Sequence, residues 1–150
     1  MSGDLLMLEP LKRFDGYSLF ALRVLTGAFL TWEMWFNISN RETMREVVGY
    51  FADHGFAYPW FFGPLSAWAQ FLIGVALILG LLTRWAGLLL AFNFTVGVIM
   101  VHWGHGFRDA WPAAVLVFIG ILFLTHGDGR FAVDSLLHRR WHPVAFAISG

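Results

Sequence analysis

Four polar side chains that can exchange protons or hydrogen-bond to a ligand stand near one end of three apolar segments. They are Glu33, Gln70, His102 and His105. Polar groups inside a bilayer are costly and usually face the interior of a helix bundle, so these four are expected to converge at one depth, called here the outer layer. A carboxylate paired with an imidazole can exchange a proton, and the same groups can hydrogen-bond to a quinone carbonyl. The alternative is structural: Glu33 hydrogen-bonds to Gln70 or to tryptophan and fixes the packing of the helices.

Two further polar residues, Arg23 and Asn93, are predicted to form an inner layer near the opposite ends of their segments. The long Arg23 side chain can extend along its helix to the headgroups, which is a common arrangement for arginine near a membrane surface. It can also stay buried against Asn93, where it would bind a quinone oxygen or a lipid headgroup. The sequence leaves both arrangements open.

A metal site is not predicted, although His102 and His105 have a spacing that could place two imidazoles on one ion. This arrangement requires the helix to continue through Gly104, with Glu33 as an oxygen ligand. Gly104 and Gly106 indicate instead that the helix ends there. A haem is not expected, because no second histidine lies at a matching depth on a facing segment.

The composition excludes several other classes of function. The chain has no cysteine, so thiolate-held iron–sulfur clusters are excluded within it. The formal net charge is zero, which gives no indication of a nucleic-acid partner. The chain has no phosphate loop, no nucleotide fingerprint and no nucleophile–base pair, so no catalytic residue is assigned. At most we expect a subunit of a quinone-dependent oxidoreductase, with quinone as the candidate cofactor.

The chain is expected to be an all-α, polytopic membrane protein. Of its 150 residues, 58% are hydrophobic and 13% are charged, against about 25% charged residues in an ordinary soluble domain. Four apolar runs are long enough to cross the hydrocarbon core of a bilayer: 17–36, 64–82, 85–103 and 111–126. They predict a single membrane domain, 1–150, built as a four-helix bundle. No internal repeat is evident in the sequence.

Two amphipathic segments accompany the spans. A helix is predicted over 40–53, in the loop after the first span, with Ser39 and Glu42 forming a capping box. Its apolar residues fall on one face, so it is expected to lie along the membrane surface. A short C-terminal amphipathic segment is predicted over 134–142. Within the third span, Gly87, Ala91 and Thr95 form a stripe of small residues that lets another helix approach closely.

The orientation in the membrane is predicted from the basic residues of the short loops. With four spans both termini lie on one side, which carries more Lys and Arg than the other. The basic side has Lys12, Arg13, Arg84, Arg130, Arg139 and Arg140, and the other side has Arg41, Arg45 and Arg108. Both termini are therefore expected in the cytoplasm, with the protein in the inner membrane of a bacterium.

Several short motifs resemble those of the DoxX-like family of four-helix membrane proteins. They are the segment 22–27 in the first span, the segment 74–84 that closes the second, Asn93 in the third, and the segment 125–134 after the fourth. The resemblance extends from about Asp15 to Leu137. It implies a four-helix bundle and a relation to the DoxD-type subunits of thiosulfate:quinone oxidoreductases. The family often has a Glu near the start of the second helix, where this chain has Gln70, so any proton-handling acid has moved to Glu33 or is lost.

Two functions are expected on these grounds. The first is a membrane subunit of a quinone-linked redox complex, which binds quinone or lipid and anchors a membrane or peripheral partner protein. The second is a non-catalytic structural or assembly subunit that packs against a larger membrane complex. Binding of a quinone by the isolated protein would discriminate between them.

Overall fold

The computed structural model describes residues 14–101 and 106–127, and this part of the chain is built from five α-helices. Their bounds are α1 (Asp15–Ser39), α2 (Arg41–Asp53), α3 (Pro59–Leu79), α4 (Thr83–Val101) and α5 (Phe107–His126). All but α2 are long and apolar enough to cross a membrane. The expected all-α bundle with four spans is confirmed. The segment predicted over 134–142 lies outside the described residues.

The first connection differs from the predicted capping box. Because α1 continues through Ser39, this residue has a helical backbone, and its hydroxyl donates to the carbonyl of Trp35 at 2.6 Å. Asn40 has an extended backbone instead, and its side-chain oxygen accepts from the backbone N–H of Glu42 at 2.8 Å. Asn40 is therefore the N-cap of α2, and the prediction for Ser39 is wrong.

The second span begins earlier than expected. Pro59 lies in the first turn of α3. Its lack of a backbone N–H costs nothing there, because the first N–H groups of a helix have no acceptor within the helix. The preceding residue, Tyr58, has a left-handed backbone with φ of 55°, which turns the chain into the span. The aromatic residues 60–62 therefore form the start of α3. The helix ends at Gly80, whose φ of 65° suits glycine at this position.

Four glycines pack the spans in two close pairs. A Cβ atom on Gly27 of α1 would lie 2.6 Å from the carbonyl oxygen of Gly74 in α3. A Cβ atom on Gly87 of α4 would lie at the same distance from the carbonyl oxygen of Gly120 in α5. Only glycine allows backbones to approach this closely. The predicted packing role of Gly87 is confirmed.

The helices contact each other more extensively within each pair than between the pairs. The α1–α3 and α4–α5 contacts are extensive, and the α3–α4 contact that joins the pairs is much smaller. A buried cluster that includes Leu30, Leu77, Leu90 and Phe123 lies along these contacts. The amphipathic helix α2 packs on α3 at one end of the bundle. This arrangement leaves space between α3 and α4, below α2.

Candidate ligand site between α3 and α4

A cluster of three polar side chains joins α3 to α4 at the centre of this space. The amide nitrogens of Asn93 and Gln70 each donate to the hydroxyl oxygen of Ser66, both at 3.1 Å. The Ser66 hydroxyl lies 3.5 Å from the side-chain oxygen of Asn93. All three side chains are partly buried. Since a carboxamide nitrogen has two hydrogens, Gln70 and Asn93 can each donate a second bond to a ligand.

The polar cluster forms part of the wall of a cavity of about 450 Å³. Most of the wall is apolar, and several phenylalanines contribute to it. The lining residues are Tyr50, Phe51, Phe56, Phe62, Leu65, Ser66, Ala69, Gln70, Ile73, Leu89, Phe92, Asn93, Phe94, Val96, Gly97, Val101 and Ala113. An apolar cavity with a few convergent polar groups is the usual form of a small-molecule site. We call it the ligand cavity.

A second cavity of about 360 Å³ lies between α2 and the spans α1 and α3. It shares Tyr50, Phe51, Ser66 and Gln70 with the ligand cavity, so the two adjoin at the polar cluster. Its other lining residues are Met34, Asn37, Thr43, Glu46, Val47, Gly63 and Ala67. We call it the α2 cavity. The only carboxylate in the described walls of either cavity is that of Glu46.

The structure changes the predicted layers. Gln70 and Asn93 were assigned to different depths, but both hydrogen-bond to Ser66 and therefore lie at one level. The reason is geometric: α3 and α4 are joined by a short turn, and Gln70 and Asn93 are nearly equally far from it along their helices. The inner-layer assignment of Asn93 is wrong.

Glu33 does not join this site. Its side chain is exposed, and neither described cavity wall includes it. The amide nitrogen of Gln70, the partner considered for Glu33, donates to Ser66 instead. His102 and His105 lie outside the described residues, so their expected convergence with Gln70 stays a prediction.

Arg23 is buried in the bundle, with 2% of its surface exposed. Its guanidinium carbon lies 5.5 Å from the ring centroid of Phe20, within the range of a cation–π contact. It therefore does not extend along the helix to the headgroups. Asn93, the contact considered for a buried Arg23, hydrogen-bonds to Ser66 of α3.

Ser66, Tyr50 and Glu46 are among the cavity residues that the sequence analysis missed. Ser66 could have been identified from the sequence, since it precedes Gln70 by four residues and so lies on the same helix face. The indication for Glu46 and Tyr50 was weaker: they are also four residues apart, so they lie on one face of α2. The sequence analysis predicted only that this helix lies along the membrane surface, and the position of α2 over α3 reveals the cavity.

Residues 18–103 of the chain match the DoxX family model. This range covers more than half of the chain and includes α2, α3, α4, the polar cluster and all but the first three residues of α1. No curated protein and no solved structure matches the chain significantly. With its four spans and this match, the chain is an integral membrane protein that belongs to the DoxX family.

Proposed function

We propose that this protein is a membrane subunit of a quinone-linked redox complex, and that the quinone ring binds in the ligand cavity. The observation that carries the proposal is the polar cluster of Ser66, Gln70 and Asn93 in the wall of an otherwise apolar cavity. A quinone ring is flat and apolar and has two carbonyl oxygens that accept hydrogen bonds. The cavity provides aromatic walls for the ring and amide N–H groups for an oxygen.

The charges of the site favour a quinone over a phospholipid headgroup. The described wall of the ligand cavity contains neither a cation nor a carboxylate. An anionic phosphate buried there would lack a compensating charge, and a buried charge without a partner is strongly unfavourable. A neutral ligand with acceptor oxygens needs only the hydrogen bonds that Gln70 and Asn93 can donate.

Glu46 is the candidate for proton exchange with the bound ligand. Its carboxylate lies in the wall of the α2 cavity, which adjoins the ligand cavity at Ser66 and Gln70. The side chain is also exposed, so it can exchange protons with the surrounding water. In this role Glu46 replaces Glu33, whose side chain lies elsewhere.

The second candidate function is a non-catalytic assembly subunit. The exposed carboxylate of Glu33 on a membrane-spanning helix favours it, since such a group is costly next to lipid. The two functions are compatible in one protein. They differ in whether the isolated chain binds a quinone.

The test is the titration of the purified protein, in mild detergent, with a short-chain benzoquinone that quenches tryptophan fluorescence. The variant Asn93→Leu keeps the approximate shape of the side chain and removes its donor. We expect its dissociation constant to rise about fivefold, equivalent to the roughly 1 kcal/mol of one hydrogen bond. The control is Thr95→Val, which removes a hydroxyl that donates to the backbone carbonyl of Ala91 in the same helix, at a residue outside the wall of the ligand cavity.

Saturable binding in the wild type, weakened by Asn93→Leu and unchanged by Thr95→Val, supports the proposal. Gln70→Leu should weaken binding to a similar degree. An isolated protein that does not bind the benzoquinone at all would contradict it and would favour the assembly function.

A further inference from the structure

The two helix pairs are copies of one arrangement, which the sequence analysis did not detect. In both α1 and α4, buried residues stand at identical spacings around the glycine of the helix crossing. In α1 they are Arg23, Thr26, Gly27 and Leu30, and in α4 they are Thr83, Ala86, Gly87 and Leu90, with Ala91 buried in addition. Leu30 and Leu90 are almost completely inaccessible to solvent.

The second helix of each pair repeats in the same way. In α3, Gly74 is followed three residues later by the fully buried Leu77, and in α5 Gly120 is followed at the same spacing by Phe123. Each of these helices is followed by a glycine with positive φ: 65° at Gly80, six residues after Gly74, and 77° at Gly127, seven residues after Gly120. The first pair differs mainly in its longer connection, which contains α2. The sequence analysis identified no internal repeat, and the similarity of the two pairs lies in the placement of their buried residues.

The repeat gives Glu33 and Asn93 equivalent positions. Asn93 follows Gly87 in α4 at the same spacing at which Glu33 follows Gly27 in α1. In α4 this position is covered by a neighbouring span, because Asn93 hydrogen-bonds to Ser66 of α3. The span equivalent to α3 is α5, but α1 and α5 have at most a marginal contact. Among the described residues, no span therefore covers the position of Glu33, and its side chain is exposed.

We infer that the face of α1 around Glu33 is the docking surface for a transmembrane helix of a partner protein, and that this helix carries an Arg or Lys opposite Glu33. In the second helix pair the equivalent position, Asn93, is covered by a membrane-spanning helix, α3. The partner's charge follows from that of Glu33, since a carboxylate inside a membrane is stabilised by a cation. The inference rests on the partner-anchoring part of the proposed function and does not depend on the ligand.

The surface around Glu33 presents three large aromatic side chains. Phe29, Trp32 and Phe36 lie on the same side of α1 and are all exposed, Trp32 by 69%. Large aromatic residues often contribute most of the binding energy at protein interfaces. A second copy of this chain fits less well. In its described spans the exposed cations are Arg84 and Arg108, each the second residue of its helix, whereas six residues of α1 follow Glu33 before the helix ends.

The test is site-specific photocrosslinking in native membranes. A benzophenone amino acid replaces Trp32, and the matched control replaces Phe118, an aromatic residue of α5 that is 71% exposed. We expect one protein adduct of defined mass from position 32 and none from position 118. Mass spectrometry of the crosslinked peptide should identify a transmembrane segment with an Arg or Lys.

The charge pair is then tested by exchange. Glu33→Lys should reduce the adduct at least about tenfold, which corresponds to about 1.4 kcal/mol. Glu33→Gln, which preserves the shape of the side chain but removes its charge, should also reduce the yield of the adduct. Replacing the partner's cation by Glu should restore the adduct in the Glu33→Lys background. Restoration is a result that a general effect on folding cannot produce.

Three results would overturn the inference: adducts with lipid alone, an adduct with a second copy of this chain, or a protein adduct that Glu33→Lys leaves unchanged. None of them bears on the ligand cavity, whose described wall excludes Glu33. The benzoquinone titration of Glu33→Lys therefore separates the two proposals. It should give the wild-type dissociation constant whatever the crosslinking shows.

Discussion

Replacing Gly74 by alanine should destabilise the bundle by forcing α1 and α3 apart. The new Cβ atom would lie 2.5 Å from the hydroxyl oxygen of Thr31 and 2.8 Å from the carbonyl oxygen of Gly27. Ordinary contacts of a Cβ atom begin at 3.4 Å. The hydroxyl of Thr31 cannot rotate away freely, since it donates to the carbonyl of Gly27 at 2.8 Å. The two helices must therefore separate by several tenths of an ångström along their contact.

The magnitude of this effect follows from two opposing contributions. Overpacking of a close contact costs about 1–3 kcal/mol, and alanine gains up to about 1 kcal/mol over glycine in a helix interior. Gly97 in α4 provides the matched control, because a Cβ atom there would meet nothing within 4 Å. Gly97→Ala should therefore show only the helix gain. We expect the free energies of unfolding of the two variants to differ by about 2 kcal/mol.

The assay is reversible unfolding in mixed micelles by titration with a denaturing detergent, followed by far-ultraviolet circular dichroism. Because Gly120 is the equivalent of Gly74 in the second helix pair, Gly120→Ala should cost about as much as Gly74→Ala. A Gly74→Ala protein as stable as Gly97→Ala would refute the close helix crossing. Unequal losses at Gly74 and Gly120, by more than about 1.5 kcal/mol, would contradict the repeat, given the usual spread of overpacking costs.

Two further predictions concern the core and α2. Leu77→Ala and Phe123→Ala remove equivalent, fully buried side chains. In the same titration Leu77→Ala should lower the free energy of unfolding by about 2–5 kcal/mol and Phe123→Ala by about 3–5 kcal/mol. Losses below about 1 kcal/mol would contradict the place of these side chains in the core. Asn40→Ala removes the N-cap of α2 and should cost that helix about 1 kcal/mol. Hydrogen exchange of the α2 amides should then be about fivefold faster, and unchanged exchange would show that Asn40 does not cap α2.

The spans were predictable from the sequence because the membrane imposes a length and an apolar composition on them. The faces of the spans were not. In a soluble helix the apolar stripe marks the buried side, but a span is apolar all round, so its pattern does not distinguish lipid from protein. The buried side of α1 is marked by Thr26 and Gly27, while Phe29 and Trp32 are exposed. The exposure of Glu33 follows from this reversal.

The ligand site was predicted only in part for a related reason. Gln70 and Asn93 were both identified as polar residues at membrane depth, but their depths were counted from predicted helix ends. Counting instead from the short turn between α3 and α4 places them at one level, since antiparallel neighbours share that turn. The position of α2 over α3 depends on tertiary packing, so the α2 cavity and the role of Glu46 could not be derived from local pattern.

The central claim, that the ligand cavity binds a quinone, is tested most directly by filling the cavity without disturbing the fold. Gly97 lines this cavity and Gly49 of α2 lies outside both cavities, and a Cβ atom at either position would meet open space. The measurement is the dissociation constant of the short-chain benzoquinone for the variants Gly97→Leu and Gly49→Leu. We predict a rise of at least about tenfold for Gly97→Leu and no change for Gly49→Leu. Wild-type binding by a folded Gly97→Leu protein would contradict the claim.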